Sequence, residues 1–141
     1  MQSKIAAGAA ALLLFAAGAA HAEMLKFKAQ LRGPDEVPTN DTTGAGKVTA
    51  SLDTTSKAFD YVVTYSGLTG PAVGAHFHGP ALAGENAPPV IMVMTLTSPM
   101  TGRATLTDAQ IADLEAGKWY FNVHTKAHPG GEIRGQLQAA H

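Results

Sequence analysis

Alternating apolar and polar residues form the clearest pattern in the chain, and the pattern begins at position 25. From Leu25 to Leu31, apolar residues occupy every odd position and Lys or Gln every even one. This period of two is typical of a strand with one buried and one solvated face. The same pattern returns over residues 48–52 and 59–65, so three strands are predicted in this part of the chain.

Four further segments carry strand signals. Residues 75–78 continue the alternation, and the unbroken apolar run over residues 90–94 predicts a buried strand. Residues 119–125 and 132–138 predict two more strands, joined through Pro129-Gly130-Gly131.

One short helix interrupts the strand signals. Thr107 and Gln110 match a capping box, and Gly117 stands where a left-handed residue would end a helix. We therefore predict a helix over residues 108–116. Six or seven short strands with one helix are typical of an all-β fold, an antiparallel β-sandwich of immunoglobulin-like or Greek-key type.

The N-terminus has the pattern of a secretory signal peptide. Lys4 precedes an apolar, alanine-rich stretch, and Ala20-His21-Ala22 offers small residues for cleavage after Ala22. Cleavage there would leave 119 of the 141 residues, enough for one domain. We expect a periplasmic or secreted protein with no membrane span after cleavage.

Charge and cysteine content exclude several classes of function. Outside the signal, 9 Lys and Arg face 11 Asp and Glu without any basic run, so nucleic-acid binding is disfavoured. The chain has no cysteine, so disulfides and thiolate metal sites are excluded. Any metal ligands must then be His, carboxylate, Met or backbone groups.

Histidines concentrate in two segments. His76 and His78 share one face of their predicted strand because side chains two apart point the same way. In another strand, His124 points to the face opposite that of its neighbour Val123, and His128 follows in a Pro/Gly loop. If the two strands are neighbours, these imidazoles converge, which predicts a metal site with His76, His78 and His124 as main ligands and His128 as an optional one.

Copper is the preferred metal for this site and zinc is the alternative. Three imidazoles suit both ions, but copper binds nitrogen ligands more tightly in the Irving–Williams order. Met92 and Met94 are conceivable soft ligands for Cu(I). A methionine in an apolar strand is more often core filler, and we assign both residues to the core.

Three polar residues near His124 are candidates for supporting roles. Arg134 and Glu132 are predicted on the outward face of the last strand, and Asn122 shares the face of His124. Arg134 beside a redox metal could steer a small anion. Glu132 and Asn122 could accept an imidazole N–H in a second shell around the metal. The alternative for Arg134 and Glu132 is a surface ion pair of little energetic weight.

Several blocks of the chain resemble the CHRD family, the domain named after chordin. The matching blocks are Glu36–Pro38, Gly44–Val48, Tyr65–Gly70, Ala75–Pro80, Tyr120–Thr125 and Pro129–Leu137. The resemblance implies one β-sandwich domain over residues 23–141, in a stand-alone exported bacterial form, and leaves its function poorly defined.

The histidine pattern is also similar in kind to copper–zinc superoxide dismutases, whose copper is held by histidines beside an arginine. This is a similarity of ligands, not of alignment. A copper-dependent dismutase acting on superoxide is therefore one hypothesis. The alternatives are a periplasmic copper-binding or sequestering protein without turnover, and a structural or protein-interaction module without metal. Nothing in the sequence fixes the oligomeric state.

Overall fold

The computed structural model describes residue 8, residues 10–14 and residues 21–141. Most of the predicted signal peptide therefore lies outside the described residues. Within the described ranges, no helix has both the length and the apolarity that crossing a membrane requires.

Strands are the main regular structure of the described chain, and they form one antiparallel sheet. The strands are β1 (Met24–Arg32), β2 (Ala45–Asp53), β3 (Ala58–Ser66), β4 (Ala72–His78), β5 (Pro89–Met92), β6 (Met100–Thr105), β7 (Tyr120–Thr125), β8 (Ile133–Gln136) and β9 (Gln138–Ala140). A 3₁₀ turn, Gly33–Asp35, follows β1, and the helix α1 (Asp108–Glu115) lies between β6 and β7.

The strand order is β5-β4-β7-β8-β1-β2-β3-β6, with β9 also paired to β1. The sheet folds over so that β3 packs against β4 across the core. The ring of Phe77 lies 5.3 Å from that of Phe59 and 4.9 Å from that of Tyr61, both at steep angles. Trp119 is fully buried beside them. The predicted all-β antiparallel sandwich is confirmed.

The strands predicted from alternation are present because each one places its apolar positions in this core. In β1, Phe27, Ala29 and Leu31 are buried while the intervening polar residues are exposed. The helix is also confirmed. The Thr107 side chain accepts a hydrogen bond from the Gln110 N–H, and the Gln110 side chain accepts one from the Thr107 N–H. Gly117, after the helix, has φ +73°.

Residues 90–94 were predicted to form a buried strand, and the predicted burial was wrong. β5 is an edge strand, paired only with β4. Val93 turns into the core, whereas Met92 is 66% and Met94 86% exposed. An edge strand has one neighbour and one covered face, so an apolar run there does not imply burial.

Two details of the sheet had no clear signal in the sequence. β6 was not predicted, because Met100 is its one buried residue and the remainder is polar or small. The segment predicted as one strand over residues 132–138 is divided into β8 and β9, with the Leu137 N–H donated to the Trp119 carbonyl between them.

Candidate metal centre

The histidines lie on the outer face of two paired strands. β4 and β7 are antiparallel neighbours, with His76 opposite Asn122 and Gly74 opposite His124. Because opposite residues share a face, His76, His78 and His124 all point away from the core. The residues between them, including Phe77 and Val123, are fully buried on the other face, which fixes the register of both strands.

Three imidazoles converge at this place. Ligand atoms of His76, His78 and His124 all lie within 4.8 Å of one another. The closest approach is 3.2 Å, between Nδ1 of His76 and Nε2 of His124. We call these three residues the histidine cluster. A triangle of this size can close around one transition-metal ion, since metal–imidazole bonds are about 2.0–2.1 Å long.

Backbone carbonyls select the tautomers of two of the rings. Nδ1 of His124 lies 2.9 Å from the Pro129 carbonyl, and Nδ1 of His78 lies 2.9 Å from the Ala87 carbonyl. A carbonyl only accepts, so each Nδ1 carries a proton. In the neutral ring, Nε2 of His124 then keeps its lone pair, whereas Nε2 of His78 faces the Oδ1 of Asn122. Such outer hydrogen bonds are how proteins orient metal-binding histidines.

The local environment favours uncharged imidazoles. Burial, followed by the neighbouring rings of His124 and His78, holds the pKa of His76 below its ordinary value. Burial also lowers the pKa of His78, although its hydrogen bonds to Ala87 and Asn122 oppose the shift. Metals bind the neutral ring, so at neutral pH little proton release is needed for binding.

Asn122 supports the cluster directly, at the position expected for it. Its Oδ1 lies 2.8 Å from Nε2 of His78, and its Nδ2 lies 3.3 Å from the carboxylate of Glu36. Both nitrogens of His78 thus face acceptor oxygens, and Asn122 occupies the nitrogen that a metal would use. A cation bound at this nitrogen would take the place of that hydrogen bond.

Glu36 stands behind Asn122 and was not anticipated as part of the site. It is 4% exposed, although it lies in a connection rich in proline and glycine. Burial raises the pKa of Glu36 to about 7, against the hydrogen bond from Asn122 and the charge of Arg134. The polar, Pro/Gly-rich sequence around Glu36 gave no burial signal, because loops are ordinarily exposed.

Arg134 lies one ring away from the cluster. Its guanidinium carbon is 3.5 Å from the centre of the Tyr120 ring, and the other face of Tyr120 stacks on His78 at 4.5 Å. The alternation Tyr120-Asn122-His124 is the signal that could have placed Tyr120 on this face.

The guanidinium of Arg134 is occupied rather than free. Arg134 is 2% exposed and donates hydrogen bonds to the Asn86 side chain and the Glu85 carbonyl. The predicted outward face is correct, but a loop covers it. Any effect of Arg134 on an anion would therefore act through its field across the Tyr120 ring, since direct contact is blocked.

Glu132 has a different place from the one expected. The carboxylate of this fully buried residue accepts hydrogen bonds from the hydroxyls of Thr42, Thr69 and Thr125 and from the Thr69 N–H. We call these four residues the Glu132 cluster. Among the described residues, the hydrogen bonds of its carboxylate all go to threonines, so the predicted bond from an imidazole is not formed, and neither is a surface ion pair.

His128 is not brought into the histidine cluster. It closes a tight turn, in which its N–H is donated to the Thr125 carbonyl and its own carbonyl accepts the Gly131 N–H. This turn places Pro129, whose carbonyl holds His124. The loop that contains His128 therefore serves the site through its backbone.

The comparisons with known proteins give the family. The profile of the CHRD domain matches residues 27–137, which is most of the chain, and the chain belongs to that family. Neither a curated protein nor a solved structure matches it.

Proposed function

We propose that this CHRD domain is an exported copper-binding protein that holds the ion through His76, His78 and His124. The observation that supports the proposal is the convergence of three imidazole ligand atoms within 4.8 Å. The carbonyl of Pro129 adds support, because it holds the Nδ1 proton of His124 and leaves Nε2 directed at His76.

Copper is preferred to zinc on chemical grounds. The site offers nitrogen ligands and the chain offers no thiolate, and copper(II) is the tightest-binding divalent ion of its row for such ligands. Three protein ligands also leave at least one coordination position for water or a small molecule. His76 and His124 are only partly buried, so that position is reachable from solvent.

Metal analysis of purified protein tests the proposal. The wild type, matured in an oxidising exported compartment, is dialysed and its copper and zinc are counted, and dissociation constants are then measured by competition with a chelator. We expect one copper per chain, and for His76→Ala or His124→Ala a loss of affinity on the order of 100-fold or more.

His128→Ala is the matched control. It removes an imidazole from the same hairpin but from outside the cluster, so copper affinity should be unchanged. A wild type that retains neither copper nor zinc would contradict the proposal and favour an interaction module. Equal loss in His128→Ala and His124→Ala would place the ion elsewhere.

Superoxide dismutation is the second candidate function, and the open coordination position favours it. A dismutase must let a small anion reach the metal, which partly exposed His76 and His124 allow. Superoxide decay is measured with copper-loaded wild type and with His76→Ala. Copper-dependent decay that the variant lacks supports turnover, whereas a fully loaded wild type that is inactive leaves a copper-sequestering protein.

A further inference from the structure

Two exposed methionines border the histidine cluster on its outer side. Met92 is 66% and Met94 is 86% exposed, although both come from the apolar run around β5. Single exposed apolar residues are common on protein surfaces, so exposure by itself assigns no role. Their position relative to the histidines is what distinguishes these two.

Met92 lies directly opposite His76 in the antiparallel pair of β4 and β5. Opposite residues of such a pair project to the same face, with Cβ atoms about 4.5–5.5 Å apart. The flexible thioether arm of methionine spans that distance easily. Met92 therefore borders the histidine cluster at His76, on the side away from His124.

Met94 returns to the same face just beyond the end of β5. The Val93 N–H donates to the Ala75 carbonyl at 3.0 Å, so the chain still runs beside β4 there. Val93 is buried on the core side, which sends Met94 to the outer side, in line with Gly74.

The rings of His76 and His124 lie over Gly74, the residue in line with Met94. A Cβ atom at Gly74 would lie 3.4 Å from Cε1 of His76 and 3.8 Å from Cδ2 of His124. Because glycine has no side chain, the two rings extend over this position of β4, in line with Met94 of the neighbouring strand.

Thioether sulfur has a distinct preference among metals. It is a soft ligand that suits Cu(I), whereas zinc sites in proteins use Cys, His and carboxylates. A methionine added to histidines therefore favours copper over zinc and stabilises the reduced ion. Cu(I) gains most from these residues because it is the softest ion that the histidine cluster would meet.

We propose that Met92 is a thioether ligand of Cu(I) at the histidine cluster, with Met94 as a second thioether on the same rim. The proposal rests on the proposed function, since it needs the ion at the histidines. It adds the oxidation state that the site prefers and the residue that discriminates copper from zinc.

Affinity measurements with separate ions test this. Cu(I) affinity is measured anaerobically by competition with a chromogenic Cu(I) chelator, and Zn(II) affinity with a zinc indicator. For the double variant Met92→Leu with Met94→Leu, we expect Cu(I) affinity to fall about 10- to 100-fold while Zn(II) affinity stays within about twofold. Met24→Leu is the matched control, since Met24 is 54% exposed at the start of β1, a strand that contributes no residue to the cluster.

Copper X-ray absorption provides a readout independent of affinity. The chain contains no cysteine, so sulfur bound to copper must come from methionine. We expect a sulfur signal in wild type and Met24→Leu that is reduced in Met92→Leu and lost in the double variant Met92→Leu with Met94→Leu. Unchanged Cu(I) affinity, or absence of sulfur around copper in the loaded wild type, would overturn this inference and leave the histidine site intact. A wild type that binds neither ion would instead refute the proposed function.

Discussion

The histidine cluster and the Glu132 cluster share strand β7 and use their polar atoms in opposite ways. His124 and Thr125 are neighbours on β7, and alternation sends one to the outer face and the other to the interior. Thr125 joins a carboxylate that accepts bonds from three hydroxyls and one N–H. His124 joins the rings of His76 and His78, and its Nε2 lies 3.2 Å from Nδ1 of His76.

The difference separates structural polar groups from groups with remaining binding capacity. Burial raises the pKa of Glu132, but the hydroxyls of Thr69, Thr125 and Thr42 outweigh it and the pKa lies below its ordinary value. The carboxylate is thus charged and saturated, and it has nothing left to bind. The imidazoles of the histidine cluster instead converge, and in the neutral form each ring has a lone pair that a cation can use. A buried carboxylate whose hydrogen bonds are all satisfied therefore indicates a structural role, whereas lone pairs that converge indicate a metal-binding site.

The largest expected effect is on stability, from opening the Glu132 cluster. Glu132→Ala leaves three threonine hydroxyls and an N–H without their acceptor, and we expect a loss of about 3–5 kcal/mol in the free energy of unfolding. Urea denaturation at pH 7 measures it. Glu115→Ala, an exposed residue of α1, is the control and should change stability by less than about 0.5 kcal/mol. A small effect of Glu132→Ala would mean that the cluster is not structural.

The histidine cluster should show the reverse behaviour. We expect His124→Ala to alter metal-free stability by no more than about 1 kcal/mol, because the ring is only partly buried. Copper at about 100 times its Kd should stabilise the wild type by about 2.7 kcal/mol, and this gain should vanish in the variant. Thermal unfolding with and without copper gives both quantities. A variant that unfolds without metal would show that the cluster also supports the fold.

Glu36, a second buried carboxylate, should make the stability of the protein depend on pH. The pKa of Glu36 is raised from 4.5 to about 7, so the native state binds its proton more tightly than the unfolded state. Stability from this group is fully present below about pH 4.5 and is lost as pH rises through about 7.

Glu36→Gln removes this pH dependence. As the pH rises from 4 to 8, we expect the free energy of unfolding of the variant to increase by about 2–3 kcal/mol relative to that of the wild type. Urea denaturation across that range measures the difference, with the exposed Glu115→Gln as control. A difference that does not change with pH would show that Glu36 titrates normally in the folded protein.

The smallest expected effect is from removing one hydroxyl of the Glu132 cluster. The Thr42 hydroxyl donates to Glu132 at 2.8 Å and accepts the Gly44 N–H at 3.1 Å. Thr42→Val should cost about 1–2 kcal/mol of stability with no change in copper affinity. Thr49→Val, at an exposed position of β2, should have little effect on either quantity.

The sequence predicted the histidine site better than its surroundings. Strand alternation placed His76 with His78 on one face of β4, and Asn122 with His124 on one face of β7, because a buried residue on the other face fixes each register. Pairing of β4 with β7 then brought the two pairs together. Local pattern and one long-range pairing were sufficient for these contacts.

Other features depended on contacts that no local pattern contains. Glu36 is buried by the packing of a connection against β7, and the carboxylate of Glu132 is captured by threonines 63 and 90 positions away. Met92 looked like a core residue because the hydrophobicity of a segment does not reveal whether its strand lies at the edge of the sheet. These are properties of the assembled sheet.

The distance in sequence between the two halves of the histidine cluster has a consequence for folding. His76 and His124 are 48 positions apart, so an unfolded chain offers a cation local pairs, His76 with His78 and His124 with His128, but not the three converging imidazoles. The third imidazole arrives when β4 pairs with β7, and such long-range pairing is slow relative to local contacts. The time at which tight copper binding appears during refolding would therefore report when β4 pairs with β7.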